Sequence, residues 1–202
     1  MEQLEAWLGQ DAPQEAASPE AWRATVADLI GLLEHDGSIW ATKAKFWLEV
    51  IGRHDLEALR EQGLSHAAWR IQEHVADVIR TLVQQNVTID PQTLERLMLL
   101  AKSERAEVAS AAVRAVGEWY VRHQGISPRS LNSRNIREIL KRSLDPQAPG
   151  PVREAAFASV SRLKPSRIHA LLKELGAGGP LPNPQLTPAS VERPAPEVPG
   201  RS

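Results

Sequence analysis

Six histidines, at positions 35, 54, 66, 74, 123 and 169, are the side chains of this 202-residue chain best suited to acid–base chemistry or metal binding. A catalytic zinc site needs two histidines one helical turn apart, as in HExxH, or another close set of His, Asp and Glu. No such spacing occurs: His66 and His74 stand eight apart, and His54 merely abuts Asp55. With no cysteine in the chain, thiolate nucleophiles, thiolate metal sites and disulfides are excluded. Nor is there a Walker loop, a GxGxxG turn, a GxSxG elbow or a kinase signature. The expectation is a non-enzymatic protein with no cofactor and no metal.

Charge carries more information. The net charge is −1, yet residues 1–65 hold 12 acids against 5 bases, and residues 121–175 hold 4 acids against 11 bases. Such a gradient bears on partners and not on fold. In the stretch SRNIREILKRSL, Ile136, Ile139, Leu140 and Leu144 mark an apolar helix face. Arg134, Arg137 and Lys141 follow i, i+3, i+7 spacing and form a cationic stripe on another face. Arg129 and Arg142 lie near that stripe, Arg122 ends the preceding helix, and Arg162, Lys164 and Arg167 crowd the following turn. Three uses stay open for these nine cations. They could neutralise phosphates of a nucleic acid, form a solvated face with Arg122, Lys141 and Arg142 complementing helix C-termini, or meet an acidic protein partner, including the acidic half of a second copy packed head to tail.

A second candidate lies at the start. In MEQLEAWLGQ, Leu4, Trp7 and Leu8 share one side of a short helix ahead of the polar stretch QDAPQEAA. Three apolar anchors at that spacing suit docking in a groove, on a partner or on the protein's own first helices.

The elements that must position these residues are all helical. Ser18-Pro19 reads as an N-cap and first helical position, followed by Trp22, Val26, Leu29, Ile30 and Leu33 on one face. IWATKAKFWLEVIG follows Gly37, and Ser65 is expected to cap a long helix from about 66 to 85. Asp90-Pro91 opens another helix, a long one spans about 104–124, and the basic helix, PVREAAFASV and PSRIHALLKEL complete the set. No window alternates with period two over more than a few residues, so the class is all-α. Residues 176–202 hold seven prolines and four glycines and read as a disordered tail. The domain reading is therefore an N-terminal segment and linker at 1–17, a folded helical domain at 18–175, and the tail. Six tryptophans against one tyrosine and two phenylalanines suit core positions first and interface anchors second.

The helices repeat. Val108, Ala111, Ala112, Val113 and Val116 recur 44 residues later as Val152, Ala155, Ala156, Phe157 and Val160. A weaker copy places Leu64, Ala67, Ala68 and Trp69 another 44 residues earlier. Adjacent alanines let stacked helices approach closely, so the pattern suits layer packing.

With Asp145, Pro146, Pro151, Val152, Arg153, Ala155 and Ala156, the stretch DPQAPGPVREAAFASVSRL resembles the second half of a HEAT repeat. The copy at 103–116 keeps Val108 and the alanines but has Ala109 in place of the arginine, and the copy near 64 lacks the Asp-Pro turn and the Val-Arg pair. The resemblance covers about 55–175 and implies a short right-handed α-solenoid of HEAT-like helical pairs. Some DNA glycosylases are built from HEAT-like repeats and use Trp and Asp, but Trp69 and Asp77 are eight apart here and no motif supports that comparison. The functional expectation is a protein-binding adaptor or scaffold, with a nucleic-acid-binding accessory role as the alternative. No stretch of about 18 apolar residues is present, so no membrane partner is expected. The acidic N-terminus is unlike a signal or transit peptide, and a cytoplasmic location is expected.

Overall fold

The computed structural model describes residues 19–35, 37–123 and 131–174. The 1–17 segment with Leu4, Trp7 and Leu8, the 176–202 tail and Arg129 lie outside the described residues. Within them the chain is all-α, as its periodicity requires. Helix α1 (Pro19–Leu32) turns through Gly37, whose φ of 77° a side chain would strain. Ser38 then caps α2 (Ile39–Gly52) by accepting a hydrogen bond from the Ala41 N–H at 3.0 Å. Asp55 caps the single turn α3 (Leu56–Ala58), which widens directly into a π-helical turn over Leu59–Leu64.

Helix α4 (Trp69–Gln84) starts later than its sequence suggests. Ser65 does not cap it: the hydroxyl donates back to the Arg60 carbonyl, and His66 Nδ1 accepts the Ala68 N–H at 3.0 Å. Asp90 does cap α5 (Pro91–Leu100), holding both the N–H and the hydroxyl of Thr93. Then follow α6 (Ala106–Arg122), α7 (Leu131–Leu144), α8 (Gly150–Val160) and α9 (Pro165–Glu174).

Packing runs in two series. Helices α2, α4, α6 and α8 pack each against the next, while α1, the π-turn, α5 and α7 follow one another alongside them. Helix α6 touches α4, α5, α7 and α8. From Val108 to Tyr120 it is buried at every position but Arg114, so no single apolar stripe describes it. On the helices beside it, Ile71, Val75 and Ile79 of α4 and Ala156 and Val160 of α8 are all fully buried, Val75 lying against Gly63 of the π-turn. Each large aliphatic side chain so placed contributes about 1.5–3 kcal/mol of hydrophobic stabilisation. Trp47 and Trp119 take the core role expected of tryptophan, whereas Trp40 is exposed and Trp69 is half-buried beneath Arg70 and Arg105.

The repeat has two lengths. Helices α6 and α8 begin 44 residues apart, at 106 and 150, in agreement with the alanine motif. Helices α4 and α6 begin only 37 apart, at 69 and 106, because α7 is longer than α5 and the connection ahead of it is longer too. The earliest copy is therefore displaced from its expected place. Ala67 is exposed and Ala68 half-buried, and the residues that occupy the packing positions of α4 are Ile71, Val75, Ala76 and Ile79.

Gly117 of α6 lies directly against Ser159 of α8. A Cβ there would fall 2.2 Å from Ser159 Oγ and 2.4 Å from its Cβ. In an open helix, Gly→Ala gains about 1 kcal/mol; here the overlap with a neighbouring helix reverses the sign. Gly117→Ala should lower the stability measured by urea unfolding by about 1–3 kcal/mol. Combined with Ser159→Gly, which removes both overlapping atoms, it should cost less than the sum of the two single substitutions.

Candidate functional site

Arg114, Glu118 and Arg122 stand at i, i+4 and i+8 on α6 and so share one side of the helix. Arg114 reaches across to Asp77 on α4, with Nη2 at 3.3 Å from Oδ1, and Arg80 approaches the same carboxylate at 3.7 Å. Glu118 has a side chain only 2% exposed and gathers donors from three directions. Both of its oxygens accept from the Arg162 guanidinium beyond the end of α8, one through a contact from Nη1 and the other from Nη2 at 3.1 Å. Arg122 Nε donates at 3.3 Å and Gln84 Nε2, at the end of α4, at 3.2 Å. Arg122 also donates to the Gln84 carbonyl and to the Asn86 side chain, both at 2.9 Å, in the turn where Asn86 takes a φ of 65°.

The spacings of these pairs match the repeat. Asp77 and Arg114 are 37 residues apart, and Glu118 and Arg162 are 44 apart. The first pair joins corresponding positions on α4 and α6, and the second joins α6 to the corresponding position just past the end of α8. Burial alone would raise the Glu118 carboxyl, but the hydrogen bonds from Arg162, Gln84 and Arg122 and the charge of Arg162 outweigh it and hold the group below its ordinary value. The same hydrogen bonds raise Arg162 further above its already high value.

Two of the nine predicted cations, Arg122 and Arg162, thus point at an internal carboxylate. Arg167 lies over the Tyr120 ring, with its guanidinium carbon 5.7 Å from the centroid. Arg137 and Lys141 are half-buried on α7, and Arg134, Arg142 and Lys164 are exposed. Arg142 pairs with Glu138 one turn back at 3.5 Å. The expected apolar face of α7 is buried through Ile136, Ile139 and Leu140. Arg153, which follows Val152 at the start of α8, donates to the Pro146 carbonyl at 3.0 Å and ties the start of α8 to the preceding turn.

Beside this region lies a groove of about 320 Å³ between α5 and α7. Met98, Leu99 and Ile139 form its apolar part, and Glu95, Glu138, Lys102 and Arg142 ring it with both signs of charge. Leu99 is 56% exposed there. Lys102, Ile139 and Arg142 also line an adjoining hollow of about 250 Å³ that runs toward Pro149 and Val152.

Glu118 and the groove are what sequence reasoning missed. The signal for Glu118 was present: an acid between Val116 and Trp119 on an otherwise apolar helix, four residues before Arg122 and one repeat before Arg162. The groove joins helices distant in sequence and leaves no such mark. Among the described residues no cluster of three His, Asp or Glu side chains is placed to hold a metal ion, and no helix is long and apolar enough to cross a membrane.

A carboxylate whose folded pKa is depressed stabilises the fold above its unfolded pKa, and that stability is lost as pH falls through the folded value. Glu118 therefore contributes in full above its ordinary value of 4.5 and ever less as acid is added. Glu118→Gln should cost about 1–3 kcal/mol near neutral pH, since two arginines are deprived of their carboxylate but keep access to water. In urea titrations at stepped pH, the variant should also lose stability less steeply in acid than the parent. A residual slope should persist from Asp90, which burial raises but the Thr93 hydrogen bonds hold below its ordinary value. Equal acid slopes in parent and variant would remove Glu118 from this role. No protein-family model matches the chain, and no curated protein matches it.

Proposed function

We infer that the chain is a non-enzymatic protein-binding adaptor or scaffold: a short right-handed α-solenoid of HEAT-like helical pairs, working in the cytoplasm, that holds a protein partner in the groove between α5 and α7. The observation that carries this reading is Leu99, a large apolar side chain left 56% exposed inside a concave groove. An apolar anchor point ringed by charged side chains of both signs is the composition of a protein interface, with a dry centre and a polar rim. The two packing series and the ion pairs at matched repeat positions support the solenoid.

The alternative is association with a nucleic-acid backbone through the 121–167 region. Exposed Arg134, Arg142 and Lys164 favour it. Against it, Arg122 and Arg162 are already committed to Glu118, and Glu138 stands among the remaining cations. With fewer cations available to neutralise phosphates, both the affinity and its dependence on salt fall.

Two assays separate the readings. Full-length chain used as bait in native lysate should retain a stoichiometric partner, and Leu99→Glu should weaken that capture tenfold or more, about 1.4 kcal/mol at the interface centre. Recovery of no partner, or capture indifferent to Leu99→Glu, would overturn the groove as the binding site. In a mobility-shift assay at low salt the adaptor reading expects no complex with nucleic acid. A complex that weakens with salt and disappears when Arg134, Arg137 and Lys141 are all changed to Glu would transfer the function to nucleic-acid binding.

A further inference from the structure

Helix α2 buries one face in the core and leaves large apolar side chains exposed along another. Ala41, Ala44, Trp47, Leu48 and Ile51 face the core against α1 and α4. On the opposite side Ile39, Lys43, Phe46 and Val50 follow i, i+4, i+7, i+11 spacing. Ile39 is 68% exposed and Phe46 58% exposed, and Trp40, in line with Ala44 and Trp47 but in the first turn, is 41% exposed with Lys43 Nζ 5.3 Å from its ring centroid. Thr42, Lys45 and Glu49 give α2 a polar sector as well, so the exposed Ile39 and Phe46 form a separate apolar patch rather than a continuation of the core face. A stacked row of helices needs a polar outer face at its end, yet among the described residues α2 is the first helix of the series through α4, α6 and α8.

We propose that this face is the docking site of the chain's own N-terminal segment, with Leu4, Trp7 and Leu8 seated on Ile39, Trp40 and Phe46. Three features of the chain select that occupant. The segment's three apolar anchors lie at i, i+3, i+4, and their span of about 6 Å fits within the stripe, which runs about 16 Å from Ile39 to Val50. Its charges are complementary: residues 1–17 hold Glu2, Glu5, Asp11 and Glu15 with no Lys or Arg, and the middle of the α2 stripe is Lys43. Its tether is sufficient. Leu8 is eleven residues before Pro19, a reach of up to about 35 Å when extended, whereas 14-residue α2 is about 21 Å long and packs directly on α1. Being part of the same chain also gives the segment a high effective concentration, so a weak interaction suffices to keep the face covered. The docking is independent of the α5–α7 groove and of the partner held there.

Because the chain has no cysteine, one can be introduced and spin-labelled in the full-length protein without further changes. Thr42→Cys places the label on an exposed position flanking the stripe. In the isotope-labelled protein carrying the nitroxide, backbone amide signals of residues 2–9 should lose most of their height. They should regain it in a second protein that also carries Leu4→Ser, Trp7→Ser and Leu8→Ser, while signals from α6 stay unchanged as a check on the fold. Unbroadened signals for residues 2–9, or broadening that survives the triple change, would overturn the proposal. A mixture of isotope-labelled chain without nitroxide and unlabelled chain with it should show no broadening of residues 2–9. Broadening in the mixture to the same degree would assign the face to a second copy and overturn the proposal as well.

Discussion

A carboxylate excluded from water must find donors or give up its charge, and the place where Glu118 finds them ties the middle of this protein together. One guanidinium comes from beyond α8, one from its own helix, and one amide from the end of α4. Moving any of these helices by an ångström would leave a buried negative charge underserved, at a cost large beside the few kcal/mol by which domains are stable. Hydrophobic packing between α4, α6 and α8 supplies most of the attraction but tolerates sliding. The Glu118 cluster does not, because hydrogen bonds are directional.

That constraint explains how two units of different length share one packing scheme. The residues between successive helices of the series vary in number, and the additional ones are absorbed in α7 and the connection before it. What stays fixed is the pairing across the helices, Asp77 with Arg114 and Glu118 with Arg162. Arg153 performs a related task at the entry to α8, where its bond to the Pro146 carbonyl sets the turn.

Helix class and most helix positions were legible because they depend on local pattern. Apolar spacing, the Asp90 cap and the alanine motif in α6 and α8 all act within a few residues of themselves. The start of α4 was not legible. Ser65 is a good capping residue by type, but the preceding π-turn rotates the chain and its hydroxyl serves Arg60 instead. The displaced copy has a separate cause, since a 44-residue ruler laid on a 37-residue unit reads the wrong alanines. Of the candidate site, the density of cations was visible and their partners were not. Arg122 and Arg162 look like surface charge until the fold brings Glu118 between them. The α5–α7 groove needs both helices in place before it exists at all.

Helix α6 has neighbours on every side, which bears on how the protein comes apart. A backbone amide exchanges its proton with solvent only when the structure around it opens, and the free energy of opening rises with the number of elements that must separate. For α1 and α9, at the ends of the described chain, fraying disturbs little of the packing. For α6 it means parting from α4, α5, α7 and α8 together, so its amides exchange only through unfolding of the whole domain. The slowest-exchanging protons should therefore lie in a helix whose sequence, rich in alanine and interrupted by Gly117, has no unusual helical stability of its own.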